Sequence, residues 1–142
     1  MGRHLNQFLY ISVLKKDIEL LQQLFPSELM EYFIITDHQL LCNVLKKEEY
    51  WLINFEEKNE LPAGYSSCDY ESKGFTESKL IQDFPLRGKP VCLKVKKRRW
   101  RHKETGVIIK RDFSFIADGS KFTQELSDFL KDAGRYAYGY HK

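Results

Sequence analysis

The chain has 142 residues, of which 42% are hydrophobic, 14% aromatic and 30% charged, and its formal net charge is +3. This length and aromatic content exclude an intrinsically disordered chain and indicate one domain with a substantial core. No apolar run approaches the ~20 residues of a membrane-spanning helix. The N-terminal residues also lack the apolar core and cleavage site of a signal peptide, so we expect a cytoplasmic protein without a membrane partner.

The N-terminal segment, residues 1–25, is predicted to be helical from residue 5 onward, because apolar side chains recur at helical spacing. The clearest members of this stripe are Leu14, Ile18, Leu21 and Phe25. Pro26 is expected to stop the helix. A second, short helix is expected to begin directly after it, with Ser27 as its N-cap.

The middle of the chain, residues 26–118, is predicted to be mostly β-structure. Residues 32–36 and 49–57 have the composition of strands. In the second strand, the residues expected to face the core are Trp51, Ile53 and Phe55. The stretch between these strands is compatible with strand, turn or helix. Residues 57–74 are polar and contain one proline and two glycines, which predicts a long loop.

A long β-hairpin is predicted next, from residue 89 through a turn near Glu104 and Gly106 to residue 117. The residues expected to form its core-facing base are Val91, Leu93, Val95, Phe113 and Phe115. These residues all have odd numbers. For them to lie on one face, each residue of the outgoing strand must pair with a residue of the return strand so that the two residue numbers add to an even number. That favours a loop of roughly three or five residues, in which Gly106 is available for a positive φ.

Beyond Val95 the outgoing strand of this hairpin is basic on both faces. Eleven Lys or Arg and one acid lie between Arg87 and Arg111, so this stretch carries +10 and the rest of the chain carries 3 − 10 = −7. Because burying an unpaired charge costs several kcal/mol, the distal hairpin is expected to project from the body as an arm. Such a charge split favours a polyanion such as double-stranded DNA. The residues expected to bind it are Arg87, Lys89, Lys94, Lys96, Lys97, Arg98, Arg99, Trp100, Arg101, Lys103, Lys110 and Arg111.

Trp100 lies inside the basic run and has two interpretations. Its indole could stack on a base or wedge at a base step. It could equally pack on Ile109 as a structural lid.

The last predicted element is a helix at residues 119–140. Its apolar stripe consists of Phe122, Leu126, Phe129, Leu130, Ala133 and Tyr136. Ser120 or Thr123 is the expected N-cap, and Gly134 or Gly139 is expected to end the helix. The predicted architecture is thus one α+β domain spanning residues 1–142, with N-terminal helices, an antiparallel sheet with a long basic hairpin, and a C-terminal helix.

Cysteines and histidines are scattered rather than grouped. Cys42, Cys68 and Cys92 form no Cys-x-x-Cys pair, and the four histidines are equally dispersed. This spacing predicts neither a zinc site nor a disulfide framework. We therefore expect three reduced thiols, buried or half-buried, and no metal or cofactor.

The second half of the chain resembles the N-terminal region of insertion-sequence transposases of the ISAon type. The shared blocks are "IQDFP" followed by "RGK", the run "RRW", "TG" followed by "RD", and the closing "FLK". The resemblance spans about residues 18–136 and is weaker before residue 70. The order and spacing of the blocks make it specific over the hairpin and the final helix.

This resemblance implies a DNA-binding region of a DDE transposase, encoded apart from the catalytic subunit. Broader relatives carry a zinc ribbon here, with Cys-x-x-Cys pairs flanking the arginine-bearing strand. This chain has "HKETG" where the second pair would fall, so a zinc site is not expected. Packing and a tight turn would hold the hairpin instead.

The chain itself is not expected to be an enzyme. A DDE nuclease needs three carboxylates converging on two metal ions. Asp69, Glu71 and Asp83 are close in sequence, but we interpret them as solvated loop acids, with Asp83 capping a turn. The motifs of P-loop enzymes, serine hydrolases and zinc peptidases are absent from the sequence.

Two other functions stay open at this point. The chain could be a protein–protein adaptor whose basic arm docks an acidic partner surface without touching nucleic acid. It could also bind single-stranded nucleic acid or structured RNA, with Trp100 stacking on a base.

Overall fold

The structure, a computed structural model, describes residues 15–17, 19–117 and 121–140. It has the predicted α+β class. The helices are α1 at residues 15–17 and 19–24, α2 at Ser27–Tyr32 and α3 at Gln124–Tyr140. The strands are β1 at Phe33–Asn43, β2 at Glu48–Glu57, β3 at Tyr70–Phe75, β4 at Lys79–Leu86, β5 at Lys89–Lys96, β6 at Arg98–His102 and β7 at Ile108–Lys110.

The strands form two sheets. Sheet A has the order β1-β2-β5-β4, and sheet B has the order β3-β6-β7. All pairs are antiparallel except β2 and β5, which run parallel. A parallel pair needs a crossover connection, and here the crossover contains both β3 and β4.

The core lies between one face of sheet A and the two N-terminal helices. The predicted alternation of β2 is confirmed: Ile53 and Phe55 are buried, and Trp51 packs against the core from its edge. Phe25 meets Phe55 edge to face, with ring centroids 5.6 Å apart. Leu29 of α2 is fully buried, so this short helix is held by packing.

Over the residues that the structure describes, the two N-terminal helices lie close to the predicted positions. α1 ends before Pro26, and Leu21 and Phe25 face the core, whereas Leu14, Ile18 and residues 5–13 lie outside the described residues. Ser27 is not the N-cap of α2, because Pro26 occupies that position without a side-chain cap. Pro26 instead accepts a hydrogen bond from Met30 N through its carbonyl oxygen, at 3.2 Å.

The C-terminal helix, predicted at residues 119–140, begins later than expected, at Gln124, and ends at Tyr140, where the predicted range ends. Thr123 caps it, since its Oγ1 accepts a hydrogen bond from Leu126 N at 3.3 Å. The predicted stops at Gly134 and Gly139 are wrong, because α3 continues to Tyr140. A glycine ends a helix when it adopts a left-handed conformation, and Gly134 does not do so.

The predicted apolar stripe of α3 is only partly used for packing. Leu126 is buried, but Phe129 is 57% exposed and Leu130 is 44% exposed. Ala133 is also exposed. Over residues 124–134, whose side chains the structure describes, the helix therefore packs on the body through its first turns, and Tyr136 lies outside that range.

The predicted long loop at 57–74 is shorter than expected, because its last residues form β3. The strand sequence "YESKGF" has no alternation of apolar and polar residues, and most of its side chains are exposed. Its stability comes from pairing with β6, which is distant in sequence and invisible to local pattern.

The predicted single hairpin is also wrong, because its outgoing strand is divided at Lys97 between β5 of sheet A and β6 of sheet B. Lys97 accepts a hydrogen bond through its carbonyl oxygen from Thr76 N, at 2.8 Å. Arg98 N donates to the Glu57 side chain at 3.0 Å. These partners replace those of sheet A and direct the chain into sheet B.

The return strand has a different register from the predicted one. Arg99 pairs with Lys110 and Trp100 with Ile109, so paired numbers sum to an odd number. Residues 103–107 connect β6 to β7, His102 N donates to Val107 O at 2.8 Å, and Gly106 adopts the expected positive φ of 75°. β7 ends at Lys110, and residues 111–117 carry Phe113 and Phe115 back to the core without continuing the strand.

Candidate nucleic-acid interface

Sheet B contains most of the basic run "KVKKRRWRH", residues 94–102, and β6 is its central strand. β3 pairs with one edge of β6 and β7 with the other. The expected two-stranded projecting arm is therefore a three-stranded sheet. Since side chains alternate along a strand, Arg98, Trp100 and His102 point to one face of the sheet. Arg99 and Arg101 point to the other.

The face with Arg99 and Arg101 carries a compact group of cations, which we term the basic face. Its members are Arg99, Arg101 and Lys110, together with Lys73, which lies two residues along β3 from Glu71, at the irregularity between Ser72 and Phe75. Arg99 lies directly opposite Lys110 in the register, and it donates a 3.5 Å hydrogen bond to Lys73 O. Arg101 lies opposite Glu71 and pairs with its carboxylate at 2.7 Å.

Solvent reaches the basic face, so its charges are available to a ligand. Lys73 and Lys110 are exposed, and the Arg101 side chain is 40% exposed. An ion pair in this setting is worth about 0–1 kcal/mol, so Arg101 could exchange Glu71 for a phosphate at small cost. Like charges directly opposite each other are destabilising. An anion bound beside Arg99 and Lys110 would therefore reduce the repulsion between them.

Trp100 lies on the opposite face of β6 and is only 1% exposed. Its Nε1 donates a 2.9 Å hydrogen bond to Asn59 Oδ1 in the loop after β2. Its cross-strand neighbour is Ile109. The interpretation of Trp100 as a base-stacking residue therefore fails on burial, and its contacts are those of a structural side chain.

Arg98 and Arg111, also expected to bind DNA, are used inside the protein. Arg98 Nε donates to Glu57 O at 3.2 Å, and its guanidinium lies 4.5 Å from the Phe75 ring centroid. Arg111 donates to Glu60 O at 2.7 Å and lies 4.3 Å from the Tyr32 ring centroid.

Glu57 connects these two arginines at the junction of the sheets. Only 1% of it is exposed, and its carboxylate accepts from Arg98 N and lies 3.5 Å from Arg111 Nε. Burial raises the pKa of the Glu57 carboxyl, although the Arg98 N–H and the Arg111 guanidinium both act to lower it. The charge of Arg111, which was predicted to bind DNA, therefore stabilises the buried Glu57 carboxylate instead.

The other predicted binding residues lie away from the basic face. Lys94 and Lys96 alternate with the core residues of β5 and are half-buried on the outer face of sheet A. Arg87 is exposed in the β4–β5 turn with a φ of 55°, and Lys89 approaches Glu49 at 3.8 Å. Lys97 sits at the strand break, and Lys103 follows β6, where its Nζ donates to Ser67 O at 3.3 Å.

Sequence reasoning missed Lys73, because it lies in the stretch interpreted as loop. No local signal could have assigned it to the basic face, since its position depends on the pairing of β3 with β6. The polar, glycine-containing sequence around Lys73 is equally typical of a solvated loop.

The carboxylates considered for metal catalysis lie in different environments. Asp83 does not cap a turn: it is buried on β4 and accepts a 3.0 Å hydrogen bond from Thr123 Oγ1. Glu71 pairs with Arg101, and Asp69 lies in the turn before β3. Within the residues that the structure describes, no three His, Cys, Asp or Glu side chains are grouped so that they could hold a metal ion.

Two of the three cysteines are more accessible than expected, and the third is half-buried as predicted. Cys42 and Cys68 are exposed, Cys92 is half-buried, and all three are free. Burial raises the pKa of the Cys92 thiol.

Comparison with protein-family models, curated proteins and solved structures finds no match for this chain. In the described part of the chain, no helix is long and apolar enough to cross a membrane.

Proposed function

We propose that this chain is a cytoplasmic DNA-binding accessory region of a transposase, which holds DNA at transposon ends while a separate DDE subunit carries out catalysis. Two observations support the proposal: the resemblance of the second half of the chain to transposase N-terminal regions, and the basic face. The basic face carries the DNA-binding part of the proposal, because it gathers four cations from three strands on one accessible surface.

The shape of sheet B favours contact with phosphates over insertion into a groove. Neighbouring strands lie about 4.8 Å apart, so a three-stranded sheet is about 10 Å wide before side chains are counted. The major groove is about 12 Å wide and admits a two-stranded ribbon. We therefore expect the basic face to lie against the backbone, with sequence information limited to bases that Arg99 or Arg101 reaches.

A charge reversal at Lys110 tests the basic face without endangering the fold. Lys110→Glu would place an acid opposite Arg99 and replace a repulsive cross-strand pair by an attractive one. We expect stability to be unchanged or slightly higher, and duplex binding to weaken. The matched control is Arg87→Glu, which changes the net charge equally in the distant β4–β5 turn.

Fluorescence anisotropy with a terminal-repeat duplex and a scrambled duplex, over a salt series, measures both effects. Four phosphate contacts predict a log–log salt slope of roughly −3.6, and Lys110→Glu should bring it to roughly −2.7. Tighter binding to the terminal repeat would support recognition of element ends. Equal weakening by the two variants would mean a diffuse charge effect and would exclude the basic face as the site.

A protein–protein adaptor is the second candidate. Val107 and Ile108 favour this candidate, because they are 56% and 42% exposed and Ile108 pairs with Arg101. Sheet B therefore has exposed apolar side chains beside its exposed cations. An acidic partner, such as the catalytic subunit, would match that surface. Absence of duplex binding at low salt would select this candidate, because salt sensitivity alone is common to both.

A further inference from the structure

A cleft of about 640 Å³ lies between sheet B and the loop at residues 58–69. Its size is within the range of small-ligand sites. Residues that line it include Asn59, Tyr65, Ser67, Tyr70, Trp100 and Lys103. Neither Tyr65 nor Tyr70 was predicted to be functional, because both lie in the stretch interpreted as loop.

The wall of this cleft is aromatic. Tyr65 meets Tyr70 edge to face at 5.2 Å between ring centroids, and Tyr70 meets His102 in the same way at 5.0 Å. Tyr65 is 44% exposed, so its ring is accessible from the cleft. Aromatic rings of this kind provide stacking surfaces for planar ligands, whatever the identity of the base.

The floor and rim of the cleft are polar. The Trp100 hydrogen bond occupies Asn59 Oδ1, which orients the amide so that its two N–H groups remain available as donors. The Lys103 ammonium lies at the rim, where it reaches Ser67 O. A planar ligand with acceptor atoms on its edge and an attached anionic group fits this combination.

The cleft adjoins the basic face across the edge strand β3. Tyr70 and Glu71 are neighbours on β3 that pair with His102 and Arg101 respectively, so they alternate between the two faces, and Glu71, which pairs with Arg101, also borders the cleft. A nucleic-acid strand lying on the basic face would reach the cleft by passing over this edge strand. A base held in a duplex cannot enter the cleft, since its edge is paired and its faces are stacked.

We infer that the cleft takes an unpaired nucleobase from a single-stranded extension of the DNA bound on the basic face. This inference rests on the proposed function. Tyr65 supplies the stacking surface, Tyr70 supports it, and Lys103 meets the attached phosphate. Trp100 forms the buried base of the cleft and does not itself stack on the ligand.

The test compares three DNAs: a blunt duplex, the same duplex with a short thymidine extension, and the same duplex with an abasic extension of equal length. The two extensions carry equal phosphate charge and differ only in bases. We expect the wild-type chain to bind the thymidine extension at least about fivefold more tightly than the abasic one. Tyr65→Ala should abolish that preference, and Tyr65→Phe should retain it.

Tyr50→Ala is the control, because Tyr50 is a half-buried tyrosine on β2, outside sheet B. In a Trp51→Phe background, the thymidine extension should also change the emission of Trp100 while the abasic extension does not. Equal binding of both extensions by the wild-type chain would overturn the inference. The proposed function would still stand if the blunt duplex bound and Lys110→Glu weakened it, so the two failures are distinguishable.

Discussion

Replacing Trp100 tests whether the indole contacts a ligand or holds sheet B to the body. Its side chain is 1% exposed and its Nε1 donates to Asn59. Truncating a buried tryptophan to alanine costs about 3–5 kcal/mol, and the lost hydrogen bond is worth about 1 kcal/mol where water can replace it. Against a total stability of about 5–15 kcal/mol, Trp100→Ala should be severely destabilised.

Urea unfolding followed by far-ultraviolet circular dichroism measures this cost without relying on tryptophan emission. Trp100→Phe should lose less stability than the alanine variant, and it should bind duplex DNA like the wild type under conditions where it is folded. Leu45→Ala is the control, because Leu45 is 96% exposed and its removal should change stability by less than about 0.5 kcal/mol. A Trp100→Ala variant as stable as the wild type but unable to bind DNA would refute the structural role.

Three further predictions concern contacts and backbone conformations that stabilise the fold. Thr123→Val should cost about 2–4 kcal/mol in urea unfolding, because it removes the α3 cap and leaves the buried Asp83 carboxylate without its hydroxyl donor. Glu57→Gln should change the pH dependence of stability. Since the folded pKa of Glu57 is raised, the wild-type advantage over the variant should be largest below the ordinary glutamate pKa and fall as pH rises through the folded pKa. Gly106→Ala should lose about 1 kcal/mol, measured by thermal unfolding, because its φ is 75°, whereas Gly134→Ala in α3 should gain about 0.5–1 kcal/mol.

Matched controls make these predictions decisive. Thr76→Val removes a half-buried hydroxyl that donates to the carbonyl of the next residue, so it should cost far less than Thr123→Val. A wild-type advantage over Glu57→Gln that grew with pH would contradict the raised pKa. An added Cβ would meet nothing within 4 Å at either Gly106 or Gly134, so equal effects there would contradict the conformational explanation.

Several local features were predictable because their causes are local. The inward residues of β2 and β5 follow from period-two alternation, which one buried face of a sheet imposes. Pro26 ends α1, Thr123 caps α3 and Gly106 adopts a positive φ, since each depends on the chemistry of one residue and its immediate neighbours.

The division of the basic run between two sheets could not be predicted in this way. β3 is polar, so it has no periodic signal of its own and exists because β6 pairs with it from about thirty residues away. The change of sheet at Lys97 depends on hydrogen bonds from Thr76 and to Glu57, which are distant in sequence.

The sequence by itself determined the α+β class, the concentration of charge and the inward residues of the central strands. Only the tertiary structure decided the use of each cation. Arg111 balances the buried Glu57 carboxylate and the Arg98 guanidinium binds the Glu57 carbonyl and the Phe75 ring, while Arg99, Arg101 and Lys110 stay on an accessible face. The physical reason is that composition sets how much charge a segment carries, but the partner of each charge is set by non-local strand pairing.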